Sequence, residues 1–361
     1  MKVSKLLLGL AAAVLTTTAC QSNNYKIEGV AEGFEDGDSI VLYEAATREA
    51  LDTIVVNGGK FSYEGEADSV VLQSLMALDG SAYALFFNEA GTIQVTLSKD
   101  DVSRISGTKA NDAWQAMTDK EAEIQEKAED LLAQLQDDET DETTRAEAME
   151  QYNKLQEDLA DYLRKLTEDN IDNEFGFFVL TQTGFSDLFD EAKAQELIDK
   201  LPDNFKQRQA VADLQKAIED AKNTAVGQTL NDIILPTPET MELNVLDEVK
   251  KNKITVLDFW ASWCGPCCRE MPFMKQLLEQ NQDKGFGIVG ISLDQDADAW
   301  KAAIGELEMT WPQVWDNQQK TANAFRVQAI PFTVVVDQTG KILAKELRGE
   351  ELEQFVKEQL Q

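Results

Sequence analysis

The sequence contains no histidine, and that absence removes Ser-His and Cys-His catalysis, imidazole metal sites and histidine-based pH switching together. Acid-base work must come from Asp, Glu, Cys, Lys or Tyr. Cysteine is scarce: four in 361 residues, at positions 20, 264, 267 and 268. A protein stapled by structural disulfides spreads its cysteines over distant segments, whereas three of these four crowd one spot and are concentrated for chemistry. With no second cysteine pair and no histidine, the three or four soft ligands of a zinc site are missing, so no metal is expected. Long apolar runs are also missing; the longest, Leu6 to Leu15, is too short to span a bilayer as a stable helix. Basic charge is in deficit, 33 Lys and Arg against 66 Asp and Glu for a formal net charge of −33. That balance argues against nucleic acid or an anionic lipid face as the main partner.

The start, "MKVSKLLLGLAAAVLTTTACQSNN", has two lysines, the short apolar run and then small residues ending at Cys20. This is the layout of an export signal. Its end resembles a bacterial lipobox, with Thr18 and Ala19 before Cys20 and Thr17 where leucine is usual. The resemblance implies a signal peptide over residues 1–19, a lipid anchor on Cys20, a tether over 20–24 and a periplasmic, membrane-anchored protein. "QSNN" lacks an acidic surface-export run, and the outer membrane is favoured over the inner. An ordinary signal peptide cut near Ala19 is the alternative.

Residues 25–107 alternate in short runs broken by turn residues, with Asn57-Gly58-Gly59 a clear hairpin signal and Glu89-Ala90-Gly91 a weaker one. They read as an antiparallel β module with no clustered nucleophile. Residues 108–223 change to helical spacing. Tyr152, Leu155, Leu159, Tyr162, Leu163 and Leu166 recur at three- and four-residue steps, and Trp114, Met117, Ile124, Ala128, Leu131 and Leu135 sketch a partner helix. A helical hairpin closed by the acidic "QDDETDETTR" is expected. Residues 224–361 alternate strand and helix, beginning with the continuous apolar strand "KITVLDFW" and closing with the hairpin "PFTVVVDQTGKILAKEL" and a helix. This predicts an α/β fold around a mixed sheet flanked by helices.

The chemistry centres on "WASWCGPCCRE" at 260–270. Cysteines at i and i+3 opening a helix after a buried strand have a specific use: unpaired N–H groups and the positive helix end stabilise a thiolate on the first, and the second, one turn on, can close a disulfide with it. A plain structural disulfide is the competing reading of the same spacing. Pro266 suits the first turn, where a missing N–H costs nothing. Gly265 permits close approach of another backbone.

Residues 226–361 resemble the thioredoxin-fold, membrane-tethered thiol-disulfide oxidoreductases of the ResA/TlpA type, within the redoxin superfamily. "VLDFWASWCGPC", the following "CREMP" and "VQAIPFTVVVDQTGKI" carry the likeness. It implies that Cys264 is the attacking thiolate and Cys267 the resolving thiol, with no cofactor beyond the redox-active disulfide between them. It makes Asp258 a buried acid that moves the proton of Cys267, with burial raising its pKa. Glu270 either tunes the cysteines or simply favours the helix dipole. Pro331 would be held in cis opposite the disulfide, letting the Ile330 backbone pair with an extended substrate, with Trp263, Gly265 and Pro266 lining the same surface and Trp260 packing beneath. Thioredoxins commonly carry a lysine on the next strand near the buried acid, and "GIVGISLD" offers none. Cys268, about 100° further round the helix than Cys267, reads as a small buried filler or as a backup thiol. The segment before residue 224 resembles the poorly characterised one that often precedes such domains, and implies no activity.

The expected function is thus an exported, lipid-anchored oxidoreductase that reduces protein disulfides, with apocytochrome maturation as one service and a membrane thiol donor upstream. Two rivals stand beside it. A thiol peroxidase of the redoxin branch would place a proline and a threonine shortly before the reactive cysteine, and "DFWASWC" lacks both. A scaffold lipoprotein would make residues 25–223 the functional part and the C-terminal domain a redox clamp.

Overall fold

The computed structural model describes residues 24–67, 69–137, 140–183 and 188–361; Cys20 and the export signal lie outside them. Two compact units divide between Thr183 and Gly184.

The first unit opens with eight strands: β1 (Asn24–Glu32), β2 (Ser39–Glu44), β3 (Ala50–Val55), β4 (Lys60–Glu66), β5 (Leu72–Ala77), β6 (Tyr83–Phe87), β7 (Gly91–Ser98) and β8 (Arg104–Ser106). They form two four-stranded sheets, ordered β4-β1-β7-β8 and β3-β2-β5-β6. Every neighbouring pair is antiparallel except β1 with β7, which is parallel. Alternate residues of each strand turn inward, as a period of two requires, and Ile27, Ile40, Leu42, Leu75, Phe86, Ile93 and Leu97 build one shared core between the sheets. The Asn57-Gly58-Gly59 signal does make a tight turn, with both glycines at positive φ and Asn57 and Lys60 exchanging backbone hydrogen bonds. Its two strands then part, β3 joining β2 and β4 joining β1. The parting goes with a contact between positions far apart in sequence: Phe61 of β4 lies opposite Gly29 of β1, and a Cβ on Gly29 would stand 2.1 Å from the Phe61 ring. The glycine leaves the slot that fixes β4 on β1.

Helices α1 (Lys109–Gln136) and α2 (Glu142–Asp169) form the expected hairpin, and α3 (Glu174–Thr183) packs on both. Asp141 caps α2 by accepting from the Thr143 and Thr144 N–H groups, while Arg145 donates to the Leu135 and Asp137 carbonyls at the end of α1.

The second unit begins with α4 (Glu191–Lys200), α5 (Asp203–Lys206) and α6 (Gln209–Asn223). The helical stretch expected over 108–223 is therefore shared between the two units. These three helices are held to the α/β part of their own unit: the Thr224 hydroxyl donates to the Ala324 carbonyl at 3.0 Å, and Arg326 pairs with Glu191 at 3.7 Å. The hairpin of β9 (Ile234–Pro236) with β10 (Glu242–Asn244) and the short α7 (Val245–Val249) lead into the main sheet.

That sheet contains β11 (Ile254–Trp260), β12 (Phe286–Ser292), β13 (Gln313–Trp315), β14 (Phe332–Asp337) and β15 (Ile342–Lys345), in the order β13-β12-β11-β14-β15. The first three run parallel; β14 and β15 are antiparallel additions, giving the expected thioredoxin-like mixed sheet. Both faces are covered, so every residue of β11 and β12 is buried, which is why these strands read as unbroken apolar runs. On one face, α8 (Gly265–Asn281), α9 (Ala297–Glu306) and α11 (Gly349–Gln359) pack on Ile254, Val256 and Trp260. On the other, α7 and α10 (Lys320–Phe325) pack on Leu257 and Phe259. Asp258 alternates with Val256 and Trp260 and so faces the α8 layer.

Candidate active site

The site grows from the end of β11. The chain turns through Ala261, Ser262 and Trp263 and enters α8 at Cys264, the N-cap. A buried carboxylate fixes this turn: Asp294, just past β12, accepts from the Ser262 N–H at 3.0 and 3.1 Å, from the Ser262 hydroxyl at 2.5 Å and from the Ser292 hydroxyl at 2.8 Å. Cys264 and Cys267 are joined in a disulfide of 2.03 Å. The Cys267 N–H donates to the Cys264 sulfur at 3.2 Å, the helix-start contact that would stabilise a Cys264 thiolate in the reduced protein. Cys267 is fully buried and Cys264 nearly so.

The Ile330–Pro331 peptide is cis and comes up beside the disulfide, placing the Ile330 carbonyl oxygen 3.6 Å from the Cys264 sulfur. Trp263 stands 66% exposed next to them, and Gly265 and Pro266 form an open rim. Trp260, by contrast, is buried and donates its indole N–H to Gln313. Cys268 is half-buried and aims its thiol at the turn, 3.5 Å from the Ser262 carbonyl oxygen, so it braces the chain leading to Cys264.

Behind the disulfide lies Asp258. It is buried, and its Oδ2 has no hydrogen-bond partner. Burial pushes its carboxyl up to about 7, the charge of Glu270 adds to the push, and the Arg348 guanidinium pulls against it. In register, Asp258 is flanked by Gly290 on β12 and Thr333 on β14, neither ionisable. A side chain at 290 has no room, because a Cβ there would stand 2.1 Å from the Gln313 amide oxygen. This gives a physical reason for the missing lysine. Glu270 is one turn along α8 from Cys267 and pairs with Arg348, which donates to Oε2 through Nη2 at 2.8 Å and Nε at 3.2 Å.

The structure thus brings Asp258, Trp263, Cys264, Gly265, Pro266, Cys267, Glu270, Ile330 and Pro331 to one end of the second unit, and Cys20 is outside the described residues. Sequence reasoning missed Asp294 and Arg348. Asp294 carried a faint signal as a charge directly after a buried strand; Arg348 carried none, being one basic residue in a polar stretch. Among the described residues no cluster of three or more His, Cys, Asp or Glu could hold a metal ion, and no helix is long and apolar enough to cross a membrane.

Parts of the chain are similar to known proteins. Residues 225–359 match the Redoxin family, and residues 25–114 match a domain of unknown function, DUF4369. Thiol-disulfide oxidoreductase ResA of Geobacillus thermodenitrificans is 31% identical over 137 residues, which cover 38% of this chain and 77% of that protein. ResA of Bacillus thuringiensis is 27% identical over 141 residues, 38% of this chain and 80% of that one. Among solved structures, the thioredoxin domain of a thiol-disulfide oxidoreductase from Bacteroides vulgatus is 31% identical, covering 38% of this chain and 99% of its own, with a TM-score of 0.36. A thiol-disulfide oxidoreductase from Bacteroides fragilis is 33% identical, covering 36% and 98%, with a TM-score of 0.34. Through its second unit the chain belongs to the redoxin family, as a thiol-disulfide oxidoreductase of the ResA kind.

Proposed function

We propose that this oxidoreductase works as a reductase of protein disulfides through Cys264 and Cys267, outside the cytoplasm and tethered by lipid at Cys20. The observation that carries the reading is the buried Asp258 carboxyl, its Oδ2 without a hydrogen-bond partner, on the strand face that α8 covers, with Cys264 of the cysteine pair capping that helix. In the reduced protein the Cys264 thiolate attacks one sulfur of a substrate disulfide, forming a mixed disulfide and releasing the first substrate thiolate. Cys267 then gives its proton to Asp258 and attacks the Cys264 sulfur, closing the 264–267 disulfide and expelling the second substrate thiolate. Two electrons pass to the substrate, whose thiolates take up protons, and Asp258 returns its own to solvent. The Ile330 backbone and the exposed face of Trp263 receive the substrate chain. A dithiol donor in the membrane restores the reduced pair, and apocytochrome disulfides, reduced to the thiols that haem attachment requires, are one substrate class that such a reductase serves.

Equilibration of the pair with glutathione or dithiothreitol tests the direction. A potential near or below about −230 mV fits a reductase, and one above about −160 mV overturns it in favour of an oxidase or isomerase. Labelling of the wild-type chain, but not Cys20→Ser, by a fatty-acid analogue tests the anchor.

A further inference from the structure

We propose that Arg348 is a positioning residue of the redox reaction, clamping Glu270 so that a fixed pair of opposite charges governs proton exchange between Asp258 and Cys267. The inference rests on the proton-acceptor role given to Asp258 above and extends it to a residue with no reason to be noticed in the sequence.

The connection can be followed bond by bond. Thr333 is the in-register neighbour of Asp258 on β14, and its hydroxyl donates to the Leu347 carbonyl at 2.6 Å. The Glu346 N–H donates to the Thr333 carbonyl at 2.8 Å. The segment carrying Arg348 is therefore bolted to the strand beside Asp258. It is also bent to do so: Glu346 has φ +64°, unusual for a residue with a side chain, and Gly349 has φ +51°. From that anchor Arg348 reaches Glu270 with two N–H groups on one carboxylate oxygen, and Glu270 sits one helical turn beyond Cys267. The carboxylate is mostly buried, its side chain 14% exposed, while the guanidinium is 47% exposed. Two charge-assisted hydrogen bonds on one mostly buried oxygen hold the Glu270 carboxylate in a fixed place.

The two charges act on Asp258 with opposite signs, Glu270 strengthening its hold on a proton and Arg348 weakening it. Among the described residues those are the charged groups that act on Asp258 in the oxidised chain: β12 contributes Gly290, β14 contributes Thr333, and the α8 layer that Asp258 faces contributes Met271 and Cys267, which is ionisable once the disulfide is reduced. Loss of Arg348 removes the weakening charge and leaves Glu270, so Asp258 must hold its proton to higher pH. Loss of the Glu270 charge does the reverse. Mere loosening of the site would move both variants the same way.

The test uses the full-length chain with Cys20 and Cys268 replaced by serine, reduced and mixed with 5,5′-dithiobis(2-nitrobenzoate). The first coloured thiolate reports attack by Cys264 and the second reports resolution by Cys267. The rate of the second phase, followed from pH 5 to 9, should rise through an inflection set by Asp258, whose carboxyl burial pushes up to about 7 in the oxidised chain. Arg348→Gln should move that inflection up by about one pH unit, slowing the second phase about tenfold on its acidic limb. Glu270→Gln should move it down, and Arg348→Lys, which keeps the charge, should lie near the parent. A folded Arg348→Gln whose profile superimposes on the parent overturns the proposal. Should Arg348→Gln fail to fold, Glu270→Gln decides alone, and an unmoved profile overturns it. A parent with no inflection in the second phase instead overturns the role of Asp258 itself.

Discussion

Replacing Asp258 by asparagine tests the central electrostatic claim without any substrate. The carboxyl titrates near 3.8 in an unfolded chain and at about 7 in the folded one. Between those values the folded protein holds a proton that the unfolded chain has released, so stability falls as pH rises through the window, and the full cost is present above pH 7. A shift of about three units corresponds to at most about 4 kcal/mol at pH 8, of which about 3 kcal/mol develops between pH 5 and pH 8. Asparagine keeps the shape and removes the titration. The burial cost of its amide is the same at both pH values and cancels in the difference. Thermal unfolding of the oxidised chain can be followed by tryptophan fluorescence, because five of the six tryptophans, Trp260, Trp263, Trp300, Trp311 and Trp315, lie in the second unit. From pH 5 to pH 8 the melting temperature of Asp258→Asn should gain on the parent by roughly 6–12 °C. A gap that stays constant within about 1 kcal/mol would refute the reasoning, since Asp258 would then be ionised or solvated like any surface acid.

Substitutions at three further positions, two beside the pair and one in the first unit, test other parts of the structure. Asp294→Ala leaves three donors, the Ser262 N–H and the Ser262 and Ser292 hydroxyls, without their acceptor and should cost about 3 kcal/mol in urea unfolding while raising proteolysis near Ser262, whereas Asp294→Asn should recover part of the loss. Cys268→Ser keeps a donor toward the Ser262 carbonyl, so the potential of the Cys264–Cys267 pair should stay within about 15 mV of the parent in glutathione equilibration; a larger shift would make Cys268 part of the chemistry. Asp141→Ala removes the cap of α2 and should cost about 1 kcal/mol, seen as faster amide exchange in the first turn of that helix with no effect on disulfide reduction.

Much of the second unit could be read from residue order because burial on both faces leaves a plain signature: "TVLDFW" and "FGIVGIS" admit no polar residue without a reason. Asp258 in the first of them therefore announced itself. Three features were hidden, each because it depends on distant partners. The turn at Gly58-Gly59 is local and was legible, but which sheet each arm joins depends on the slot at Gly29, far away in sequence. The helices from Glu191 to Asn223 look like a continuation of the preceding ones because helical periodicity says which face is apolar and nothing about what covers it. Arg348 is defined by a bond to Glu270 across 78 positions, and a surface arginine has no local pattern that marks its partner.

The closeness of Gln313 to Gly290 ties three positions into one evolutionary unit. A lysine at 290 would stand opposite Asp258, but Gln313 fills that space and its amide oxygen accepts the Trp260 indole N–H at 3.0 Å. Shortening residue 313 to admit the lysine would strand a buried indole donor, so residue 260 would have to change as well. Variation at 260, 290 and 313 should therefore be correlated among descendants of this sequence. A laboratory lineage selected for a basic residue opposite Asp258 should acquire the change at 290 last, after 260 and 313 have already moved.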